Sequence, residues 1–225
     1  MRRSPMLLDL HNHTRYSPDS RVPPAALVER ARSLGLQGIA ITDHNSVGAI
    51  EEAEAAAPPG FLVIPAIEVS TGAGHVLGYG IREAIPRDLS VADTVDRIVA
   101  AGGVPVAAHP YRFWSGLGEA GLSAGAFPAY ETCNGRTLRR GNERARARAR
   151  GRRIGETGGS DSHFLDEVAR AVTTVDAGPL GLEDILQWIG AGRTTARGID
   201  RSGTATVRYV TKCVGEWIFR GMRRI

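Results

Sequence analysis

Six histidines are the residues of this sequence best able to do chemistry: His11, His13, His44, His75, His109 and His163. Two of them, His11 and His13, end the run LLDLHNHT, in which apolar residues predict a short strand. Side chains of an extended strand alternate between its two faces, so residues i and i+2 point the same way. These two imidazoles would therefore project together from the end of a strand.

Carboxylates accompany the histidines at the ends of other predicted strands. Asp43 precedes His44 in GIAITDH, Glu68 ends the run FLVIPAIE, and Asp161 and His163 follow the strand pattern of RRIGETGG. A glutamate at the end of a buried strand is costly unless it is solvated, paired or coordinated, and we interpret Glu68 as coordinated. Imidazole together with carboxylate suits zinc, manganese or iron.

The segments between these residues alternate between strand and helix patterns. Short apolar runs such as Gly38–Thr42 precede helical patterns such as Val47–Ala57. This alternation predicts an α/β protein in which parallel strands form a barrel and gather a metal site at one rim. We count about seven strands, which indicates a small, irregular barrel. Pro110 follows His109, and we expect it to hold that histidine's backbone extended.

Five motifs carry a resemblance to a known family. DLHNHTRYSPDS, ITDHNS, AIEVS, AAHPY and GGSDSH resemble, in the same order, the successive motifs of the PHP (polymerase and histidinol phosphatase) family of metal-dependent phosphoesterases. They span Asp9 to His163, which is most of the chain. The resemblance implies a distorted (β/α)7 barrel with the metal site at the carboxyl-terminal rim of the strands.

The resemblance also implies two or three divalent metal ions and a full set of ligands. It assigns one ion to His11, His13, Glu68 and Asp161, a second to the bridging Glu68 with His75 and His109, and a third to Asp19, His44 and His163. By residue type alone, Asp19 is equally a turn former beside Pro18 and Ser20. Asp9 and Asp43 lie beside ligands and are expected to orient them. Arg15, Arg112 and Arg136 each follow a motif and are candidates for gripping a substrate phosphate.

The resemblance implies a hydrolase of phosphate esters, with Glu68, Asp161 and His163 central to catalysis. Closely spaced dications would lower the pKa of a shared water and supply a hydroxide for in-line attack. The favoured substrate is a small metabolite or a nucleotide, such as a nucleoside 3',5'-bisphosphate. The alternatives are a 5'-3' exonuclease of short RNA or DNA and a non-enzymatic metal-binding scaffold. No residue selects histidinol phosphate, and the chain resembles the compact branch of the family.

Length and composition fit one main domain. With 225 residues, 42% of them hydrophobic, we assign 1–204 to the phosphoesterase domain and 205–225 to a basic amphipathic helix, packed on the domain or peripheral. The net charge of +4 favours anionic partners only weakly. We expect a small phosphorylated substrate and no obligate protein partner; nucleic acid, or a membrane surface contacted by the last helix, is a lesser expectation. Two cysteines and the lack of a long apolar stretch predict a cytoplasmic protein.

Two further segments are open to more than one interpretation. Tyr111–Ala126 has no periodicity, and it is either an access-controlling loop at the rim or a plain surface loop. Arg136–Arg153 contains nine arginines. Arginines two residues apart lie on nearly opposite sides of a helix, so we favour a solvated helix covering the barrel over a nucleic-acid groove.

Overall fold

Nine strands and six helices alternate along the part of the chain that the structure, a computed structural model, describes: residues 5–178, 180–199 and 214. The strands are Met6–Asp9 (β1), Gly38–Ile41 (β2), Leu62–Ser70 (β3), His75–Tyr79 (β4), Val104–Ala107 (β5), Ala129–Asn134 (β6), Gly155–Gly159 (β7), Ala171–Val175 (β8) and Thr195–Gly198 (β9). The helices are Pro24–Ser33 (α1), Ile50–Ala56 (α2), Val91–Ala100 (α3), Gly118–Ala124 (α4), Arg139–Arg152 (α5) and Leu182–Gly190 (α6). A 3-10 helix spans Leu165–Glu167.

All nine strands belong to one sheet, in the order β7-β6-β5-β4-β3-β2-β1-β8-β9. The chain leaving β1 also meets β7: the Leu10 amide donates to the Gly158 carbonyl at 3.3 Å, and Asn12 pairs with Ser162 in parallel. These contacts nearly close the sheet into a barrel, so the predicted α/β barrel is confirmed. The predicted count of about seven strands is not confirmed.

The sheet is mixed, and this corrects the prediction of an all-parallel barrel. β1, β2 and β3 are parallel, as are β5, β6 and β7, but β4 runs antiparallel to both β3 and β5. β8 runs antiparallel to its neighbours β1 and β9. The reversal of β4 follows from the short connection between residues 70 and 75, which leaves no room for a crossover helix.

Both faces of the central strands are buried, which explains why they are mostly apolar. Leu8, Ile64 and Leu77 fill one cluster, which includes α6. Outside the sheet, α1 packs Leu27 and its neighbours onto residues of β2 and β3, and α3 does the same for β3 and β4. A sheet covered on both sides reads as continuous apolar runs rather than as alternation.

Several local expectations are revised. β3 continues through Glu68 to Ser70, so this glutamate lies inside a strand rather than beyond one. The segment Tyr111–Ala126, predicted without structure, contains α4. β9 was not predicted, because its sequence TARG carries no strand pattern. Apart from residue 214, the predicted helix 205–225 lies outside the described residues.

The arginine-rich segment forms the exposed helix predicted for it. α5 buries only Asn142, Ala145 and Ala149. Its arginines pair with acids on two sides: Arg144 and Arg148 with Glu119, and Arg146 and Arg150 with Glu156. Among the described residues, no helix is long and apolar enough to cross a membrane.

Candidate metal centre

One edge of the barrel gathers all the predicted metal ligands. His11 and His13 follow β1, His44 follows β2, His109 follows β5, and Asp161 and His163 follow β7. His75 instead begins β4, but because β4 is antiparallel, its start lies opposite Ser70 at the end of β3. The reversed strand thus delivers its histidine to the same edge as the parallel strands.

The nine side chains form one continuous cluster with shared members. The side chains form four groups, and within each group the ligand atoms lie within 4.8 Å of one another. These groups are His13, Asp19, His44 and His163; His11, Glu68 and His109; His11, His13 and Asp161; and His44, Glu68 and His75. Every histidine of the chain is therefore within reach of a second ligand and of a carboxylate.

Glu68 lies at the middle of this cluster, with its side chain 1% exposed. Its Oε1 is 2.9 Å from both His75 Nδ1 and His109 Nε2. Its Oε2 is 3.2 Å from His11 Nε2 and 3.3 Å from His13 Nε2, and His44 Nδ1 is also 3.2 Å away. Each oxygen faces a different set of imidazoles, which is the arrangement a bridging carboxylate requires.

Two aspartates complete the anionic part of the cluster. Asp161 Oδ1 lies 3.3 Å from His13 Nε2, while its Oδ2 accepts hydrogen bonds from Arg112 and from Asn134 Nδ2. Asp19 Oδ2 lies 2.7 Å from His163 Nε2. Asp161 thus offers one oxygen to the imidazoles while the other is held by its neighbours.

Hydrogen bonds on the outer side of three imidazoles fix which nitrogen faces the cluster. Nδ1 of His11 lies 2.9 Å from Glu131 Oε1, Nδ1 of His13 lies 3.2 Å from Ser17 Oγ, and Nδ1 of His163 lies 3.0 Å from the Asp161 carbonyl. In each case Nε2 is left to face the cluster. This is how proteins set the tautomer and orientation of metal-binding histidines.

Some imidazole nitrogens of the cluster are buried and make no hydrogen bond, and they indicate whether the cluster suits metal ions. His11 Nε2, His13 Nε2 and His44 Nδ1 are inaccessible and make no hydrogen bond, although carboxylate oxygens lie close by. Buried polar atoms are almost always satisfied in native proteins. Nitrogen and oxygen donors that converge in this way fit divalent ions such as zinc, manganese or iron.

The three carboxylates of the cluster are ionised at neutral pH. Burial opposes their charge, but His44, His11 and His75 hold the pKa of Glu68 well below its usual range. Arg112 and His11 do the same for the pKa of Asp161, and His163 and His44 for that of Asp19. The cluster therefore concentrates three carboxylates in a buried space, where Arg112, protonated imidazoles or bound cations balance their charge.

Five of the imidazoles fall into two protonation classes, and in one of them Glu131 and Glu68 outweigh burial and raise the pKa of His11 well above its usual value. Burial, with Arg112 nearby, lowers the pKa of His109 to about 4, and burial also lowers the pKa of His44 and His163. For His13 burial is outweighed by Asp161 and Glu68, which raise its pKa to about 9. Neutral imidazoles are ready to bind a metal, whereas a protonated His13 must release its proton first.

Strained backbone positions mark this edge of the barrel. Asn45, His109 and Asp161 have positive φ values of 54°, 27° and 54°. The expectation of an extended His109 is therefore wrong: the turn Pro110–Arg112, in which the Arg112 amide donates to the His109 carbonyl at 2.9 Å, overrides the preference imposed by the proline. Such strain persists where the surrounding structure requires it, and it is concentrated at functional sites.

Gly159 allows β7 to approach His11 closely. A Cβ at this position would lie 2.3 Å from the Cβ of His11 and 2.6 Å from its backbone nitrogen. Only a residue without a side chain fits, because the neighbouring atoms belong to backbone that cannot move aside.

Asp9 and Asp43 support the cluster through the backbone. Asp9 accepts hydrogen bonds from the Ser160 amide at 2.8 Å, the Ser160 hydroxyl at 2.5 Å and the Ala169 amide at 2.9 Å. Asp43 accepts two hydrogen bonds of 2.6 Å from the amide and hydroxyl of Thr14. They brace the segments that carry the ligands, rather than the imidazole rings.

Glu131 is a supporting residue that sequence reasoning missed. This buried carboxylate of β6 lies 2.9 Å from His11 Nδ1 and accepts from the His109 amide at 2.8 Å and from Asn134 Nδ2 at 3.0 Å. The available signal was an acid near the end of an apolar strand, the same signal that identified Glu68.

We expect Glu131→Gln to lower metal affinity by roughly 10- to 100-fold while the fold is retained. The amide keeps the size of the side chain but loses the charge that orients His11. Competition with a coloured chelator would measure the affinity. Glu143→Gln, at a half-exposed site in α5, is the control, and equal affinities for the two variants would contradict the prediction.

The three candidate arginines occupy different places. Arg112 donates to Asp161 and, at 2.8 Å, to Asn134 Oδ1, and Arg136 is buried close enough to His163 to lower its pKa. Arg15 instead pairs with Glu52 at 2.7 Å, with its side chain half exposed. Two of the three cationic groups thus lie at the cluster.

Comparison with known families gives matches to two segments of the chain. Residues 9–98 match the PHP domain, and residues 139–194 match a segment described as PHP-associated. The first match contains six of the nine clustered residues, from His11 to His75.

Three curated proteins are similar to this chain. An uncharacterized protein of Methanocaldococcus jannaschii is 35% identical over 117 residues, covering 47% of this chain and 68% of that protein. A 3',5'-nucleoside bisphosphate phosphatase of Chromobacterium violaceum and a 5'-3' exoribonuclease of Haemophilus influenzae are each 37% identical over 84 residues, which is 35% of this chain. The matched segment covers 29% and 30% of these two proteins, less than a third of either.

Among solved structures, PsfC from Pseudomonas syringae has a similar fold. The TM-score is 0.69 with 17% sequence identity, over 96% of this chain and 99% of PsfC. At this identity the likeness concerns the fold alone.

Proposed function

The chain belongs to the PHP family of metal-dependent phosphoesterases, enzymes that hydrolyse phosphoric esters, and we propose that its substrate is a small phosphorylated metabolite or a nucleotide, such as a nucleoside 3',5'-bisphosphate. The observation that carries this proposal is the cluster around Glu68, in which buried imidazole nitrogens make no hydrogen bond. The named activity of the Chromobacterium violaceum relative supports the substrate class.

In this proposal, metal ions are held by the nine clustered residues: His11, His13, Asp19, His44, Glu68, His75, His109, Asp161 and His163. Bound there, divalent ions would ease the deprotonation of water and neutralise charge on the phosphate. Glu68 lies between two parts of the cluster, since one of its oxygens faces His11 and the other faces His75.

The protein's own cations would hold the phosphate. Arg112 is 15% exposed and pairs with Asp161, so its charge lies at the cluster and is partly accessible to solvent. Arg136 is buried beside His163. A planar guanidinium matches two phosphate oxygens at once. Arg112 and Arg136 are favoured over Arg15 for this role because they lie at the cluster, whereas Arg15 pairs with Glu52.

A 5'-3' exonuclease remains the second candidate function, because the Haemophilus influenzae relative is equally similar. The basic helix α5 is the feature that would favour it. However, four of the arginines of α5 already pair with Glu119 and Glu156. Because these ion pairs offset the positive charge of the arginines, α5 is less suited to binding the phosphate backbone of a nucleic acid.

Phosphate release by the purified protein, loaded separately with manganese, zinc and iron, tests the proposal. The substrates would be nucleoside monophosphates, nucleoside 3',5'-bisphosphates, histidinol phosphate and a 5'-phosphorylated oligonucleotide. We expect preferred turnover of one small ester. Preferred degradation of the oligonucleotide, with affinity falling steeply as salt rises, would replace the proposal by the nuclease. Absence of turnover from metal-loaded protein would leave a metal-binding scaffold.

A further inference from the structure

Two aromatic side chains stand out on the loop between β5 and α4. Phe113 and Trp114 are 88% and 81% exposed, and they are the most exposed large hydrophobic side chains among the described residues. Their rings contact each other edge to face, with centroids 4.8 Å apart. Adjacent aromatic rings held in water give up the stabilisation that burial would provide, so their position calls for a function.

The loop that carries these rings is fixed to the metal centre at both ends. It begins at His109, whose carbonyl accepts from the Arg112 amide at 2.9 Å, and its far side is tied to the cluster where the His75 amide donates to the Ser115 carbonyl at 3.1 Å. The Gly118 amide closes the loop by donating to the Pro110 carbonyl at 2.9 Å. Both ends of the loop are therefore positioned by residues of the cluster.

The internal packing of the loop is tight. A Cβ on Gly116 would lie 2.6 Å from the carbonyl oxygens of Pro110 and Arg112, so this turn depends on glycine. The preceding ring, Tyr111, is committed to packing: it donates to Glu119 at 2.6 Å and lies under Arg144 at 4.2 Å. Of the three aromatic residues of the loop, only Phe113 and Trp114 remain available to a ligand.

In the sequence, a candidate phosphate-binding arginine is followed directly by the two exposed aromatic residues. Arg112 touches Asp161 in the cluster, and Phe113 and Trp114 are the next two residues, within about 8 Å of it along the backbone. A phosphate alone needs charge and hydrogen bonds, whereas an aromatic surface beside it suits a planar group joined to that phosphate.

Resting on the proposed phosphoesterase function, we propose that Phe113 and Trp114 form a stacking platform for the base of a nucleotide substrate whose phosphate lies at the metal centre. Every nucleobase has a flat face that can stack on an aromatic ring, so the platform selects nucleotides over sugar phosphates with little preference among bases. It therefore defines the substrate class of the site.

Steady-state kinetics of the manganese-loaded protein test this platform. Two substrates are compared: a nucleoside 3',5'-bisphosphate and ribose 5-phosphate, which has no base. We expect Trp114→Ala to raise KM for the nucleotide by roughly 5- to 100-fold with little change in kcat, and to leave KM for ribose 5-phosphate unchanged. Trp114→Phe, which keeps a ring, should restore most of the affinity. Val99→Ala, at an exposed apolar residue of α3, is the control.

A binding measurement separates this inference from the function on which it rests. Quenching of tryptophan fluorescence by the nucleoside bisphosphate, measured with the same metal-loaded protein, should be lost in Trp114→Ala and kept in Val99→Ala, whether or not the ester is hydrolysed. Equal rises of KM on both substrates would indicate a general loop defect and overturn the platform. Unchanged nucleotide KM and unchanged quenching in Trp114→Ala would overturn it as well.

Discussion

Replacing Glu68 by glutamine is expected to abolish tight metal binding and to lower kcat by ~1000-fold or more, which corresponds to several kcal/mol of lost electrostatic stabilisation. Five imidazoles lie within 3.3 Å of this carboxylate. Glutamine has only one acceptor oxygen, because an amide nitrogen replaces the other. This nitrogen would face imidazole nitrogens that need an anion or a metal ion as their partner. The single substitution removes a ligand from both halves of the cluster.

The measurement for Glu68→Gln is metal content after gel filtration, together with turnover and thermal melting. Glu51→Gln, an exposed acid of α2, should keep metal content and turnover unchanged. Wild-type metal content in Glu68→Gln would show that this carboxylate is not a ligand, and the proposed organisation of the site around it would then be abandoned.

Replacing Asp161 by asparagine should lower turnover of phosphomonoesters by about 1000-fold while the fold is retained. Asp161 is ionised because Arg112 and His11 stabilise its charge, and its Oδ1 faces His13. Asparagine keeps the size of the side chain and tolerates the positive φ of 54° at this position. The loss should therefore reflect the missing charge rather than a distorted loop.

For Asp161→Asn, circular dichroism and melting temperature report the fold, and phosphate release reports activity. Asp166→Asn provides the control, since Asp166 is 76% exposed on the 3-10 helix that follows. Unchanged turnover in Asp161→Asn would show that Asp161 takes no part in the reaction. A large drop in melting temperature would instead show that its bonds with Arg112 and Asn134 are chiefly structural.

Much of the metal centre could be predicted from the sequence because ligands recur at strand ends. The carboxyl ends of parallel strands meet at one edge, so HNH after β1, DH after β2 and DSH after β7 were expected to converge, and the structure brings them together. The apolar runs that identified these strands are required by a sheet buried on both faces.

What the sequence by itself determined was most of the strands, their order along the chain and the chemistry at their ends, since local apolar patterns and residue types carry that information. Only the tertiary structure decided that β4 runs backwards to bring His75 in, that Glu131 lies behind His11, and that Arg112 meets Asp161. These contacts join residues as far as 120 positions apart. They depend on strand direction and barrel closure, which are settled by the packing of the whole sheet rather than by any local stretch of chain.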